Sequence, residues 1–169
     1  MTSVIACVGC GGLVPDIEGP THRYIGASPG CWAMYTELNA GSLPPSPMSG
    51  LAVDAYAIQH PGVPGPQSTA SVWTHLVALE LVLEEGWRAG QAIRLRAAAA
   101  DAIDGWPWLE PPASMGAVTV VDVAGTPDAE RLAAVERWVH AAWSGWRQHH
   151  AAVRERARAV MATPAARRR

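Results

Sequence analysis

Cys7, Cys10, His22 and Cys31 fall within one stretch, CVGCGGLVPDIEGPTHRYIGASPGC, that holds every cysteine of the chain. Cys7 and Cys10 form a C-x2-C pair, and the glycines at 9, 11 and 12 let the backbone curl so that both sulfurs face inward. Three thiolates and one imidazole make a tetrahedral donor set suited to zinc, which takes soft sulfur with borderline nitrogen. With all four positions filled by protein no coordination site stays open, so such a metal would be a staple rather than a reagent. Two other readings stand beside it. Cys7 and Cys10 could be ordinary small residues with Cys31 a buried thiol next to Trp32, or the C-x2-C could be a redox pair. The redox pair calls for a βαβ unit, which the sequence does not suggest.

A second set of candidates lies further on. His60 ends the segment YAIQHPG, His75 shares the apolar face of Val72, Leu76 and Leu79, and His149 and His150 follow Trp146. Antiparallel helices could bring His75 and His149 into one cleft, with His60, Asp54 and Glu37 contributing further donors. Three protein ligands and an open position would hold a second metal and activate water. The plainer reading is a group of core histidines hydrogen-bonded to neighbours, since no H-E-x-x-H pair is present. His140, near Glu136, reads as solvated. Trp73, Trp138 and Trp146 fit core stripes or, more sharply, an aromatic pocket for a planar or cationic ligand. Thr119 and Asp122 read either as a cap before the last helix or as chemistry.

The elements that would position these groups are mostly helical. A loop-rich head over residues 1–31 leads into a helix beginning near Pro29 and running through CWAMYTELN. AGSLPPSP cannot continue it, because proline lacks the amide proton and clashes with the preceding turn. SGLAVDAYAIQH is a second helix, PGVPGPQ a rigid connector, and TASVWTHLVALELVLEEG the strongest helix of the chain. AGQAIRLRAAAADAI is a fourth. AVTVVDV is the best strand candidate, although a lone strand has nothing to pair with. One long amphipathic helix over residues 128–160 closes the chain. The expected architecture is mainly α, a small helical bundle with a loop-rich N-terminal zinc-knuckle-like head. It forms one domain over 1–162, with the helical body at 32–162 and a disordered tail at 163–169.

Composition narrows the function classes. The 169 residues carry a net charge of −2, with 49% hydrophobic and 17% charged side chains, which suits one globular domain. All thirteen basic residues are arginine, and three of them stand at the C-terminus. No basic stripe for nucleic acid is visible. No apolar run is long enough for a membrane span, and the N-terminus lacks a signal-peptide layout. A reducing cytoplasm is the expected setting, with the cysteines as thiols or ligands.

Taken in order, CVGCGG, GPTHRY, PGCW, VDAYAIQHPG, THLVALELVLE, PWLEPP, TVVDV and the tryptophan followed by His149-His150 resemble a bacterial domain family of unknown function common in actinobacteria. The resemblance covers roughly residues 7 to 155. It implies that Cys7, Cys10, His22, Cys31, Asp54, His60, His75 and one of His149 and His150 hold the family's signature positions. Relatives often carry a histidine shortly before VDAYA, where Ser49 stands here. The resemblance implies no reaction, cofactor or partner. The reading that follows is a cytoplasmic zinc-binding helical protein with a His-lined polar cleft suited to a small molecule. A non-catalytic ligand- or protein-binding module is one alternative, and a metal-dependent hydrolase or transferase is another. A zinc-dependent DNA-binding regulator fits the acidic balance poorly.

Overall fold

The computed structural model describes residues 3–102 and 105–163, with the backbone alone at 42 and 97–102. The chain opens with an antiparallel hairpin, β1 (Val4–Ala6) and β2 (Leu13–Pro15), in which Ile5 faces Val14. This short hairpin gives regular structure to a head expected to be loop-rich. Its tip carries the C-x2-C pair. The helices α1 (Pro29–Glu37), α2 (Ala52–Gln59), α3 (Pro66–Leu83) and α4 (Ala89–Ala102) follow, then α5 (Val120–Ala124), α6 (Arg131–Gly145) and α7 (His150–Met161). Among the described residues the architecture is mainly α, as the periodicity implies.

Local chemistry sets the boundaries. Pro29 and Pro66 each stand in the first turn of a helix, where a missing N–H costs nothing and the fixed φ is already helical. Pro66 and Gln67 therefore belong to α3 rather than to the connector. α3 stops at Gly86, whose φ of 70° is the left-handed conformation that glycine tolerates. The Trp87 amide then closes back on the Leu81 carbonyl at 2.8 Å, a six-residue return that satisfies an orphan carbonyl.

Two expectations are corrected. AVTVVDV is not a strand: α5 starts at its centre, capped by Thr119. The Thr119 hydroxyl accepts from the Val121 amide, and Asp122 Oδ2 accepts from the Thr119 amide at 2.7 Å. The valines lower helix propensity, but burying Val120 and Val123 outweighs that. The long final helix is also interrupted, with a 3-10 turn at Arg147–His149 between α6 and α7. Gly145 allows the Ser114–Gly116 backbone to lie against the helix, since a Cβ there would stand 3.1 Å from the Ser114 carbonyl oxygen. Of the tail expected over 163–169, residues 164–169 lie outside the described residues, and the Thr163 hydroxyl donates to the Val160 carbonyl.

α2 is the central element. It packs on α3 and α6, and α3 in turn packs on α4 and α7. Six of its residues from Asp54 to Gln59 are buried in an unbroken run. The polar member at its end is fully paired: Gln59 Oε1 accepts from Trp138 Nε1 at 2.7 Å, and Nε2 donates to the Met115 and Val118 carbonyls at 2.7 and 2.8 Å. Trp146 Nε1 donates to the Ile58 carbonyl, and Trp73 Nε1 to that of Pro107. Trp73, Trp138 and Trp146 are thus buried in the core with their polar atoms satisfied.

Replacing Gln59 by Leu should orphan one indole N–H and two carbonyls at once. The expected loss is about 2–4 kcal/mol, read by urea unfolding. A variant as stable as the parent would show that the 105–119 segment is not held by this side chain.

Candidate metal centre

The knuckle is built by short backbone bonds. The Cys7 amide donates to the Gly12 carbonyl at 2.8 Å and the Gly11 amide to the Cys7 carbonyl at 2.9 Å, turning both sulfurs to one side. Segment 27–31 then lies beneath it. The Val8 amide donates to Ser28 Oγ at 3.1 Å, and the Ser28 amide to Cys7 Sγ at 3.5 Å. Cys31, in the first turn of α1 and fully buried, brings its sulfur to 3.9 Å from Cys10 Sγ.

The structure brings His60, at the end of α2, to the three sulfurs, and His22 is not in that group. His60 Nε2 lies 3.3 Å from Cys31 Sγ. The donor atoms of Cys7, Cys10, Cys31 and His60 all fall within 4.8 Å of one another, and all four residues are buried. This group could hold a metal ion. His22 packs instead on aromatic rings, edge-on to Tyr24 at 4.4 Å and tilted to Trp32 at 5.3 Å. The sulfur cluster faces the bundle core, where α2 ends, while residue 22 lies on a partly exposed stretch before that contact.

Steric and hydrogen-bond constraints set the His60 ring. A Cβ on Gly9 would stand 2.4 Å from both His60 Cδ2 and the Gly26 carbonyl oxygen, so the middle of the C-x2-C loop must be bare. His60 Nδ1 lies 2.7 Å from the Tyr56 carbonyl oxygen. A carbonyl only accepts, so Nδ1 carries a proton and it is Nε2 that faces the sulfurs, the orientation a metal-ligating imidazole needs. The Tyr56 hydroxyl donates to Cys31 Sγ at 3.7 Å, and the Tyr56 ring stacks on Tyr35 at 3.9 Å.

Without a cation, the cluster must divide its protons unevenly. Hydrogen bonds from Cys10 and Cys31 hold the Cys7 thiol far below its ordinary range. The bond with Cys10, then the bond with Cys7 and burial, hold Cys31 far above it. Burial disfavours a charged His60, but bonds to the Cys10 and Cys7 sulfurs outweigh it, and its pKa is pushed up to about 9.

The remaining candidates lie elsewhere. His75 Nδ1 donates to Asp54 Oδ1 at 2.8 Å, and the fully buried Asp54 also faces Arg96 at 3.5 Å. Asp54 and Tyr35 are also neighbours: burial first, and the Asp54 charge second, push the Tyr35 phenol up to about 12. His149 is turned to another neighbour, with Nε2 donating to the Glu110 carbonyl at 2.8 Å. His150 stacks on Trp143 at 3.8 Å and donates to its carbonyl. His75 and His149 thus pair with different neighbours, and among the described residues no hydrogen bond or ring contact joins them. The face of α3 that meets α7 carries Glu80, bonded to Arg154 at 2.9 Å. Glu37 and His140 are exposed. Ser49 donates its hydroxyl to the Pro44 carbonyl. Thr119 and Asp122 serve as the cap of α5.

Sequence spacing missed His60 as a member of the sulfur cluster and Gln59 and Arg96 as anchors. One signal was present for His60: a histidine ending a helix, four residues after a tyrosine whose carbonyl can take its Nδ1 proton.

These features define a helical protein closed by a buried Cys3His cluster. The chain belongs to DUF5946, a family of unknown function, whose family model matches residues 5–147. No curated protein and no solved structure matches it. Among the described residues no helix is long and apolar enough to cross a membrane.

The two histidines can be separated by mutation. His60→Ala should abolish metal retention on tag-free purification, whereas His22→Ala should leave the metal content unchanged. The opposite pattern, by elemental analysis, would reinstate His22.

Proposed function

We propose that the protein binds one zinc ion through Cys7, Cys10, Cys31 and His60, and that the ion is a structural staple joining the hairpin head to α1 and α2. The observation that carries this reading is the closed, fully buried donor set. For Zn–S bonds of about 2.3 Å the sulfur–sulfur edge of a tetrahedron is about 3.8 Å, and Cys10 and Cys31 already stand 3.9 Å apart. Four protein donors leave no position for water or substrate, as in structural rather than catalytic zinc sites. A redox role for the C-x2-C pair is less well supported, because Cys31 and His60 complete a ligand set around it. Thiols that must remain ligands suit a reducing compartment such as the cytoplasm.

A second reading concerns the helical body. Asp54 fixes the tautomer of His75 and leaves Nε2 as an acceptor, the arrangement of an oriented base acting on a small molecule. If so, a small-molecule screen followed by NMR should move the His75 ring signals in the parent and not in Asp54→Asn. Hits that never touch His75 would leave Asp54–His75 as a structural pair.

Two results test the staple. Chelation or Cys10→Ser should cost several kcal/mol, lowering Tm by about 10 °C or more in a chain of this size. Full thermal stability in metal-free protein would overturn it. Titrating zinc into metal-free protein at pH 7 should also expel the protons of His60 and Cys31, whose pKa values lie above that pH. Calorimetry in buffers of different ionisation enthalpy would show the release, and binding without it would contradict this ligand set.

A further inference from the structure

A cleft of about 570 Å3 opens between the 3-10 turn at Ser49–Leu51, the end of α3 and the start of α4. Its size falls within the roughly 300–1,000 Å3 of small-molecule sites. None of the four metal-centre residues lines it. Met48, Leu51, Val82 and Trp87 make an apolar wall, and the charged members of the lining are Arg88 and Arg94, with no acidic side chain among them.

What sets these two arginines apart is that both line one apolar-walled cleft while their guanidinium groups are unpaired. Arg96 faces Asp54, Arg131 pairs with Asp128, and Arg154 pairs with Glu80. The guanidinium groups of Arg88 and Arg94 have no ion-pair or hydrogen-bond partner among the described residues. Arg94 folds back along α4 over Gly90, with Nη1 3.7 Å from the point a Cβ would occupy.

The walls are fixed before any ligand arrives. The return of the Trp87 amide to the Leu81 carbonyl fixes the backbone that carries the indole, which packs against the core. Gln91 Oε1 accepts from the Arg88 amide at 3.2 Å, and Arg96 donates to the Gly50 carbonyl at 3.3 Å, tying α4 to the turn before α2. Such pre-organisation reduces the ordering cost of binding.

We propose that this cleft binds a small-molecule carboxylate with a compact apolar body. The body lies against Met48, Leu51, Val82 and Trp87, and the acid group meets Arg88 and Arg94. Guanidinium matches a carboxylate with paired, charge-assisted hydrogen bonds. A neutral ligand would leave both cations unanswered, and a bare inorganic anion would leave the apolar wall unused.

Isothermal titration calorimetry of the full chain with 2-naphthoate and with uncharged 2-naphthalenemethanol tests this. One saturable site is expected for the acid, weakening with salt, and affinity for the alcohol should be lower by about tenfold or more. The double variant Arg88→Ala, Arg94→Ala should lose about tenfold for the acid and little for the alcohol. Arg147→Ala, an exposed arginine outside the cleft, should bind as the parent does. Both arginines are on the surface, and unchanged circular dichroism and melting would confirm that the double variant folds. Equal affinity for acid and alcohol, an unaffected double variant, or no saturable heat with either 2-naphthoate or the smaller benzoate would overturn the proposal.

Discussion

The hydrogen bond from His60 Nδ1 to the Tyr56 carbonyl is the constraint on which the rest of the structure turns. It uses the Tyr56 carbonyl, near the end of α2, to hold the imidazole with Nε2 toward the sulfurs. Because the bond lies within α2, any cation held by the ring is registered against that helix rather than against a loop. Cys31 makes the equivalent link to α1, four residues before Tyr35, whose ring stacks on Tyr56. The two helices are therefore joined twice, once through ligand atoms and once through aromatic faces. Neither contact could slip without breaking the other.

α2 carries a second discipline along its length. Asp54, Gln59 and His60 are all buried, yet each is tied to a different part of the chain: Asp54 to α3 and α4, Gln59 to α6 and the 105–119 segment, His60 to the head. A buried polar group without its partner costs more than the pair contributes, so these residues select one arrangement of neighbours over others of similar apolar burial. Glu80 plays the same part between α3 and α7. Its Oε1 meets Arg154, while Oε2 has no hydrogen-bond partner among the described residues. Apolar packing brings the helices together, and these polar bonds decide their order.

The helices were legible because their faces repeat at helical spacing and because proline and glycine mark their ends. The three cysteines were legible as a group for a different reason, since thiols near one another in a chain with no others have few uses. The fourth ligand was not. Spacing rules read ligands from one local loop, and they favoured His22; His60 reaches the cluster only because α2 ends against the knuckle, which is tertiary information. AVTVVDV was misread because β-branched residues suggest a strand by composition, while the cap that starts a helix there rests on two side chains, Thr119 and Asp122. The break before α7 was hidden for a third reason. Trp146 continues the apolar pattern of α6, and no periodicity records the 114–116 backbone that lies against Gly145 where α6 ends.

One property of the ligand set bears on how the chain assembles. All four donors lie in the first 60 residues, whereas α6, which covers α2, begins at Arg131. During synthesis the donors are therefore all made before α6 begins. Closing the loops from Cys10 to Cys31 and from Cys31 to His60 takes up chain entropy that grows only slowly with loop length, so spacing the donors this widely adds little to that cost. The knuckle, α1 and α2 can then serve as the surface on which the later helices dock. α6 then has an α2 with fixed ends to dock on, while α7 docks on α3.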